Sequence, residues 1–208
     1  MCANFKIEIT DPKMMEIMKA ALKASDADAD DFSLLVKNKG EVFPKYIIPV
    51  QTAPETFRPM TWGYPKWKGT DVIFNARSEG AMESKMFRDS MLRRRCVVPA
   101  IMYYEHKTEG KRKTKYYFQL PGKGIMHLAG CWEMKPGKRL PVCAILTMDA
   151  VGEQADIHNR MPIIIPPERV DEWLVESIEP MKRPTLWLDC GSVGREEPAQ
   201  MSLFDQNY

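Results

Sequence analysis

The sequence of 208 residues lacks a strong charge of one sign, because 30 lysine and arginine residues oppose 28 aspartate and glutamate residues. The formal net charge of +2 does not indicate a nucleic-acid-binding protein, so a surface of that kind would have to be a local patch. The sequence also lacks an apolar run of the ~18 residues that a membrane helix requires, and a basic start followed by the apolar stretch of a signal peptide. These absences predict a cytoplasmic protein.

Metal-binding and disulfide patterns are lacking as well. The 5 cysteines form no C-x-x-C pair, which argues against a zinc site and against a disulfide framework. We therefore expect no metal and no other cofactor. One cysteine stands out by its position, since Cys2 directly follows the first methionine.

The hydrophobic pattern predicts an α+β fold. Apolar spacing indicates a helix over Pro12–Ala24 with Asp11 as its N-cap, and weaker helical patterns cover 84–94 and 167–175. From Glu41 onward, short β-branched and aromatic runs alternate with proline and glycine, which is typical of strands. The predicted strands are 46–50, 72–74, 96–99, 116–120, 127–130, 142–146 and 162–165. We predict a strand-rich, barrel-like mixed core with a few helices.

The composition changes near the carboxyl end of the sequence. From Gly191 onward, apolar residues are scarce until Leu203 and Phe204. We therefore expect a catalytic domain over residues 1–190 and a flexible tail over 191–208.

Cys2 has the chemistry of a double nucleophile. Methionine is normally removed when the next side chain is small, which would leave a cysteine with a free α-amine. The amine has a pKa of about 7.7–8.0 and the thiol one of about 8.5 in model peptides. An aldehyde would form a Schiff base with the amine, and the thiol would close on it to give a thiazolidine. The same group suits acyl transfer in an N-terminal-nucleophile hydrolase, so both interpretations stay open.

A set of motifs, in order and approximate spacing, resembles the SOS-response-associated peptidase (SRAP) family. The resemblance covers residues 1–190. The motifs are Met1-Cys2, Trp62-Gly63, Asn75-Ala76-Arg77-Ser78-Glu79, Arg94-Arg95-Cys96-Val97-Val98-Pro99, Tyr103-Tyr104-Glu105, Gly130-Cys131-Trp132-Glu133 and His158-Asn159-Arg160-Met161-Pro162.

The resemblance implies a sensor of abasic sites in single-stranded DNA that cross-links to them through Cys2. It implies that Asn75 holds the cysteine end and the sugar remnant, that Glu105 relays protons at the amine, and that His158 assists opening of the sugar ring. It also implies that the chain removes its own Met1. Plainer interpretations are a surface charge for Glu105, a cap of the following turn for His158 and a turn support for Asn75.

DNA contacts are expected from basic and aromatic side chains in the middle of the sequence. The alternative for most of these aromatic residues, which include Trp62 and Trp67, is a place in the core. The resemblance places a phosphate contact at Arg77, and Arg160 either contacts DNA or pairs with an internal carboxylate. Where the family has Cys-Gly-Arg and Tyr-Glu-Trp, this sequence has Cys2-Ala3-Asn4 and Tyr104-Glu105-His106. The predicted DNA-binding residues are Arg77, Arg88, Arg160, Trp62, Trp67 and His106.

The tail resembles a bacterial sliding-clamp-binding motif. Gln200 is followed after two residues by Leu203 and Phe204, which would enter an apolar pocket of the clamp. The predicted partners are therefore single-stranded DNA and the sliding clamp, and DNA binding would associate the protein with the nucleoid. A non-covalent single-stranded DNA-binding module is a third interpretation of the whole sequence.

Overall fold

A computed structural model describes residues 3–24, 29–175 and 188–193. Cys2 and the tail residues Gln200, Leu203 and Phe204 lie outside these ranges. The α-helices of the described ranges are α1 (Pro12–Lys23), α2 (Ser33–Lys37), α3 (Ser78–Ala81), α4 (Arg88–Arg93) and α5 (Val170–Val175). Short 3₁₀ turns lie at Ala29–Phe32, Pro121–Lys123, Gly152–Gln154 and Pro167–Arg169.

The strands dominate the chain from residue 41 onward, as the sequence predicts. They are β1 (Asn4–Lys6), β2 (Glu41–Val42), β3 (Ile47–Ala53), β4 (Thr56–Trp62), β5 (Tyr64–Pro65), β6 (Val72–Ile73), β7 (Asn75–Arg77), β8 (Arg95–Ala100), β9 (Met102–Glu109), β10 (Arg112–Gln119), β11 (Met126–Glu133), β12 (Val142–Asp149), β13 (Arg160–Pro162), β14 (Ile164–Ile165) and β15 (Asp189–Ser192).

Helix α1 confirms the prediction from its sequence. The Asp11 side chain accepts a hydrogen bond from the Met14 backbone N–H at 2.9 Å, and proline occupies the first turn. The helix predicted over 84–94 is shorter, because it begins only at Arg88. The Ser84 hydroxyl accepts from the Met86 N–H at 3.3 Å, a local turn that competes with helix formation.

The larger sheet closes on itself. Strands β12, β4, β3, β8 and β11 are each paired with the next, and β11 pairs back with β12, which confirms the barrel-like core. Both faces of β8 are buried, since Cys96 and Val98 pack in one apolar cluster and Val97 in another. The first cluster also contains Phe5 of β1 and Met14 of α1.

A smaller sheet has the strand order β15-β10-β9-β1-β2. Its edge strand β15 (Asp189–Ser192) extends past residue 190, where the sequence predicts that the domain ends and the tail begins. Gly191 lies opposite Tyr117, and an added Cβ there would approach the Tyr117 ring to 2.7 Å. The glycine that looked like a tail residue therefore permits a close strand contact. Within the described ranges, no helix has the length and apolar character to cross a membrane.

Candidate active site

Strand β12 connects two parts of the predicted site. β7 runs parallel to one edge of β12, with Asn75 opposite Ile145 and Arg77 opposite Thr147. β13 pairs with the other edge, where Pro162 also lies opposite Thr147. The motif that begins at Asn75 and the motif that ends at Pro162 therefore meet across a single strand.

An aromatic cluster joins the amino-terminal strand to the start of β7. The Trp62 indole N–H donates to the carbonyl oxygen of Phe74 at 2.9 Å, and the two rings pack edge-to-face with centroids 5.4 Å apart. Trp62 also packs edge-to-face on Phe5 of β1, at 4.9 Å between centroids. Asn75, directly after Phe74, is buried. The cluster therefore fixes Asn75 relative to the strand that follows Cys2.

Glu105 lies within β9, beside the amino-terminal strand. Asn4 of β1 is opposite Tyr104 of β9, one residue from Glu105. The Glu105 side chain is only 5% exposed, so its interpretation as a surface charge is wrong. Burial raises the pKa of the Glu105 carboxyl, and the positive charge of the chain's amino terminus opposes that rise.

His158 is half-buried and its ring is oriented by the backbone. Its Nδ1 accepts a hydrogen bond from the Arg160 backbone N–H at 3.0 Å, which confirms that it caps the turn before Arg160. The neutral ring therefore carries its proton on Nε2. Burial lowers the pKa of His158, and the positive charge of the amino terminus lowers it further. These effects favour a neutral imidazole that can donate from Nε2.

Arg160 is an internal anchor. Its guanidinium donates to both carboxylate oxygens of Glu79, at 2.6 and 2.9 Å, to Asp149 at 2.6 Å and to the carbonyl oxygen of Thr147 at 2.7 Å. The side chain is 4% exposed. Burial and these partners favour the alternative in which Arg160 pairs with a carboxylate over the predicted DNA contact, although the two carboxylates themselves lie at the surface, with Glu79 53% and Asp149 89% exposed.

The two tryptophans predicted to stack on DNA have opposite environments. Trp62 is 0% exposed, so its predicted DNA contact is wrong: its ring packs inside the core. Trp67 is 96% exposed, between Lys66 and Lys68 in the β5–β6 hairpin. Its position is compatible with base stacking, which stays a prediction.

The basic middle of the sequence divides between surface and interior. Arg77 and Arg88 are exposed and His106 is half-buried, so their DNA contacts stay predictions. Arg94, in contrast, donates through Nε to the carbonyl oxygen of Trp132 at 3.1 Å. Burial lowers the pKa of His106, and the charges of two nearby lysines of β10 lower it further.

Two further residues connect the parts of the site and were not assigned a role from the sequence. The Tyr103 hydroxyl of β9 donates to Oε1 of Gln154, and the carbonyl oxygen of Gln154 accepts from the His158 N–H at 2.9 Å. The side-chain contact between Tyr103 and Gln154 joins residues that are 51 positions apart. No local pattern in the sequence indicates it.

Comparison with solved structures identifies the same architecture elsewhere. A protein from Bacteroides thetaiotaomicron superposes with a TM-score of 0.73 at 21% identity, over 93% of this chain and 92% of the other. A protein from Bordetella bronchiseptica gives a TM-score of 0.71 at 20% identity, over 93% of this chain and all of the other (100%). At these identities, the likeness concerns the fold.

Sequence comparison adds relatives with names. The abasic site processing protein YoqW of Bacillus subtilis is 33% identical over 124 residues, 55% of each chain. The abasic site processing protein YedK of Escherichia coli is 32% identical over 123 residues, 58% of this chain and 55% of the relative. The chain thus matches about half the length of these curated relatives. The family model described as SOS response associated peptidase (SRAP) matches residues 1–191. The chain belongs to the SOS response associated peptidase family.

Proposed function

We propose that the chain processes abasic sites in DNA and captures those in single-stranded DNA as a thiazolidine at Cys2, after loss of Met1. The relatives named abasic site processing proteins support the substrate class. The observation that carries the proposal is electrostatic. The amino-terminal charge, which belongs to Met1 in the full chain, acts on the pKa of both Glu105 and His158. Loss of Met1 would move the α-amine to Cys2, one residue along the chain, where Glu105 and His158 would serve it.

The proposed reaction is a condensation that releases one water molecule. The α-amine of Cys2 attacks the aldehyde carbon of the ring-opened sugar, and loss of the hydroxyl as water gives a Schiff base. The Cys2 thiol then adds to the imine carbon, and its proton moves to the nitrogen. Attack within one residue forms a five-membered ring and benefits from a high effective molarity.

The two titratable groups have complementary roles in this scheme. His158 donates from Nε2 to the sugar ring oxygen, which helps to free the aldehyde. Glu105 takes a proton from the ammonium and returns it to the leaving hydroxyl, a task for which a raised pKa suits a carboxyl near neutral pH. Asn75 positions the sugar remnant beside them.

DNA binding would come from exposed side chains around this site. Arg77 follows Asn75 on β7 and would bind a phosphate. Trp67 would stack on an unpaired base, between two lysines that attract the backbone. Such binding would place the protein at the nucleoid, and the tail would bind the sliding clamp through Gln200, Leu203 and Phe204.

A denaturing gel tests the proposal. Mature protein, with Met1 removal verified by mass spectrometry, is mixed with single-stranded DNA that contains one abasic site. We expect an adduct that survives denaturation without a reducing agent. Cys2→Ala keeps the α-amine, so it should form only a Schiff base that borohydride traps. Cys190→Ala is the matched control, because Cys190 is a thiol of the described chain that is not fully buried.

The outcomes separate the alternatives. No adduct from protein with a verified free Cys2 terminus would reject covalent capture. Salt-sensitive DNA binding without an adduct would indicate the non-covalent module. Cleavage of peptides that depends on Cys2 would indicate the hydrolase. The mass of chain synthesised in vitro without methionine aminopeptidase tests whether it removes its own Met1.

A further inference from the structure

We infer that Tyr103 and Gln154 are a positioning pair: their contact holds the loop that carries His158 at a fixed position relative to β9, the strand that carries Glu105. The inference rests on the proposed function. Neither residue is assigned to the reaction there, and each is tied to a different half of the site.

Tyr103 is a rigid attachment point on the strand of Glu105. It is fully buried, and its ring stacks on Phe118 with centroids 4.9 Å apart and planes 16° apart. It lies opposite Phe5 of β1, so it is also fixed to the amino-terminal strand. Because side chains two residues apart on a strand share a face, Tyr103 and Glu105 point to the same side of the sheet.

Gln154 transfers this anchoring to His158. It ends the 3₁₀ turn Gly152–Gln154, and its Oε1 accepts from the Tyr103 hydroxyl. Its carbonyl oxygen accepts from the N–H groups of Ile157, at 3.0 Å, and His158, at 2.9 Å. A single residue therefore contacts β9 through its side chain and His158 through its main chain.

The loop of residues 150–159 carries both Gln154 and His158, and its two ends are held together, so one further contact is enough to fix its orientation. The Ala150 N–H donates to the carbonyl oxygen of Asn159 at 3.0 Å, and Arg160 begins β13 directly afterwards. Arg160 also donates to Nδ1 of His158. With both ends held, the contact between Tyr103 and Gln154 would set the position of the loop relative to β9, the strand that carries Glu105. Reaction rates are sensitive to such placement, because displacements of about 1 Å can cost 100-fold.

Two near-isosteric substitutions remove the contact. Tyr103→Phe keeps the ring and its stacking on Phe118, and Gln154→Leu keeps the size of the side chain and the main-chain carbonyl. We expect each to slow single-turnover adduct formation about tenfold, with unchanged affinity for DNA. The double variant should be no slower than either single variant, since both remove the same contact. Tyr117→Phe, which removes a hydroxyl from the neighbouring strand, is the matched control and should have no effect.

Two readouts separate positioning from general stability. Gln154→Glu, unlike Gln154→Leu, has an acceptor oxygen for the Tyr103 hydroxyl. Its rate of adduct formation should therefore be close to that of the wild-type protein. In ¹⁵N NMR spectra, His158 should show one Nε2–H tautomer in the wild-type protein and exchange broadening in Tyr103→Phe and Gln154→Leu. Adduct rates within about twofold of wild type, or effects that add in the double variant, would overturn the inference. If the wild-type protein forms no adduct, the proposed function fails. The His158 spectra then test the positioning pair by themselves. Spectra that are unchanged in both Tyr103→Phe and Gln154→Leu would reject the inference.

Discussion

The backbone N–H of Arg160 points at Nδ1 of His158 from 3.0 Å, while the guanidinium of the same residue is tied to two carboxylates and a carbonyl. The turn that orients the imidazole is therefore anchored by a buried cation. Arg160, which the sequence suggested as a DNA contact, thus stabilises the turn that carries His158.

This arrangement predicts opposite results for two arginines of the site. Arg160→Ala should destabilise the protein by about 2 kcal/mol, because the buried Thr147 carbonyl loses the hydrogen bond that Arg160 donates, and should leave the salt dependence of DNA binding unchanged. Arg77→Ala, at an exposed position, should leave stability within about 0.5 kcal/mol and reduce the salt slope by about one. Urea unfolding and binding titrations at several salt concentrations measure both. A reduced salt slope for Arg160→Ala would contradict its internal role.

The two tryptophans provide a second contrast. Trp62→Ala should cost about 3–5 kcal/mol of stability, since a large buried ring is lost from the core. It should also slow adduct formation, because Phe74 and Asn75 lose their support. Trp67→Ala should not change the melting temperature but should weaken single-stranded DNA binding by about 1–3 kcal/mol. Calorimetry and fluorescence titration distinguish the two, and equal DNA affinities of Trp67→Ala and wild type would exclude stacking.

The Glu105 carboxyl predicts a pH dependence of stability. Its pKa is raised by burial, so the folded protein holds this proton more tightly than the unfolded chain does. The stabilising contribution is complete below the ordinary pKa of 4.5 and is lost as the pH rises through the raised value. Glu105→Gln stays neutral at every pH. The melting temperature of this variant minus that of the wild type should therefore increase from pH 4 to pH 8, which thermal melts at several pH values measure. A gap that shrinks over this range would refute the raised pKa.

The same substitution should harm the reaction. Glu105→Gln can no longer exchange a proton at the amine, so adduct formation should slow by about 100-fold or more. Single-turnover gels over time provide the rate. Glu133→Gln, on another strand of the described chain, is the control for loss of a carboxylate and should react at the wild-type rate.

The tail prediction can be tested apart from the domain. A peptide of residues 195–208 should bind a bacterial sliding clamp, because Leu203 and Phe204 supply apolar anchors. The peptide with both residues replaced by alanine should not bind. Isothermal titration gives the affinities, and equal binding of the two peptides would end the clamp hypothesis.

Local signals in the sequence predicted the elements that local interactions determine. Asp11 and Pro12 mark the start of α1, and β-branched runs such as Cys96-Val97-Val98 mark buried strands. Strand β4 was missed, because it contains Pro59 and mixes polar with apolar residues. Gly191, which begins the predicted tail, lies in β15, because pairing with β10, a strand far away in sequence, decides its conformation.

Spatial relationships within the site were harder to predict. The motif residues Asn75, Glu105 and His158 were named from sequence, but nothing local shows which side of a strand faces the core. Trp62 and Arg160 were therefore assigned to DNA although both are buried. The Tyr103–Gln154 contact depends on the closure of a whole sheet and loop, so no spacing rule indicates it.

The shortness of β1 has a mechanical consequence. This strand of 3 residues lies between β9 and β2 in the strand order of the smaller sheet. If DNA is joined to Cys2, a motor that translocates along the DNA pulls directly on β1. The hydrogen bonds of this short strand and the packing of Phe5 in the core resist its extraction, and removing it separates β2 from β9. A cross-linked molecule would thus begin to unravel at the point of attachment, which would offer a protease an unfolded segment next to the lesion.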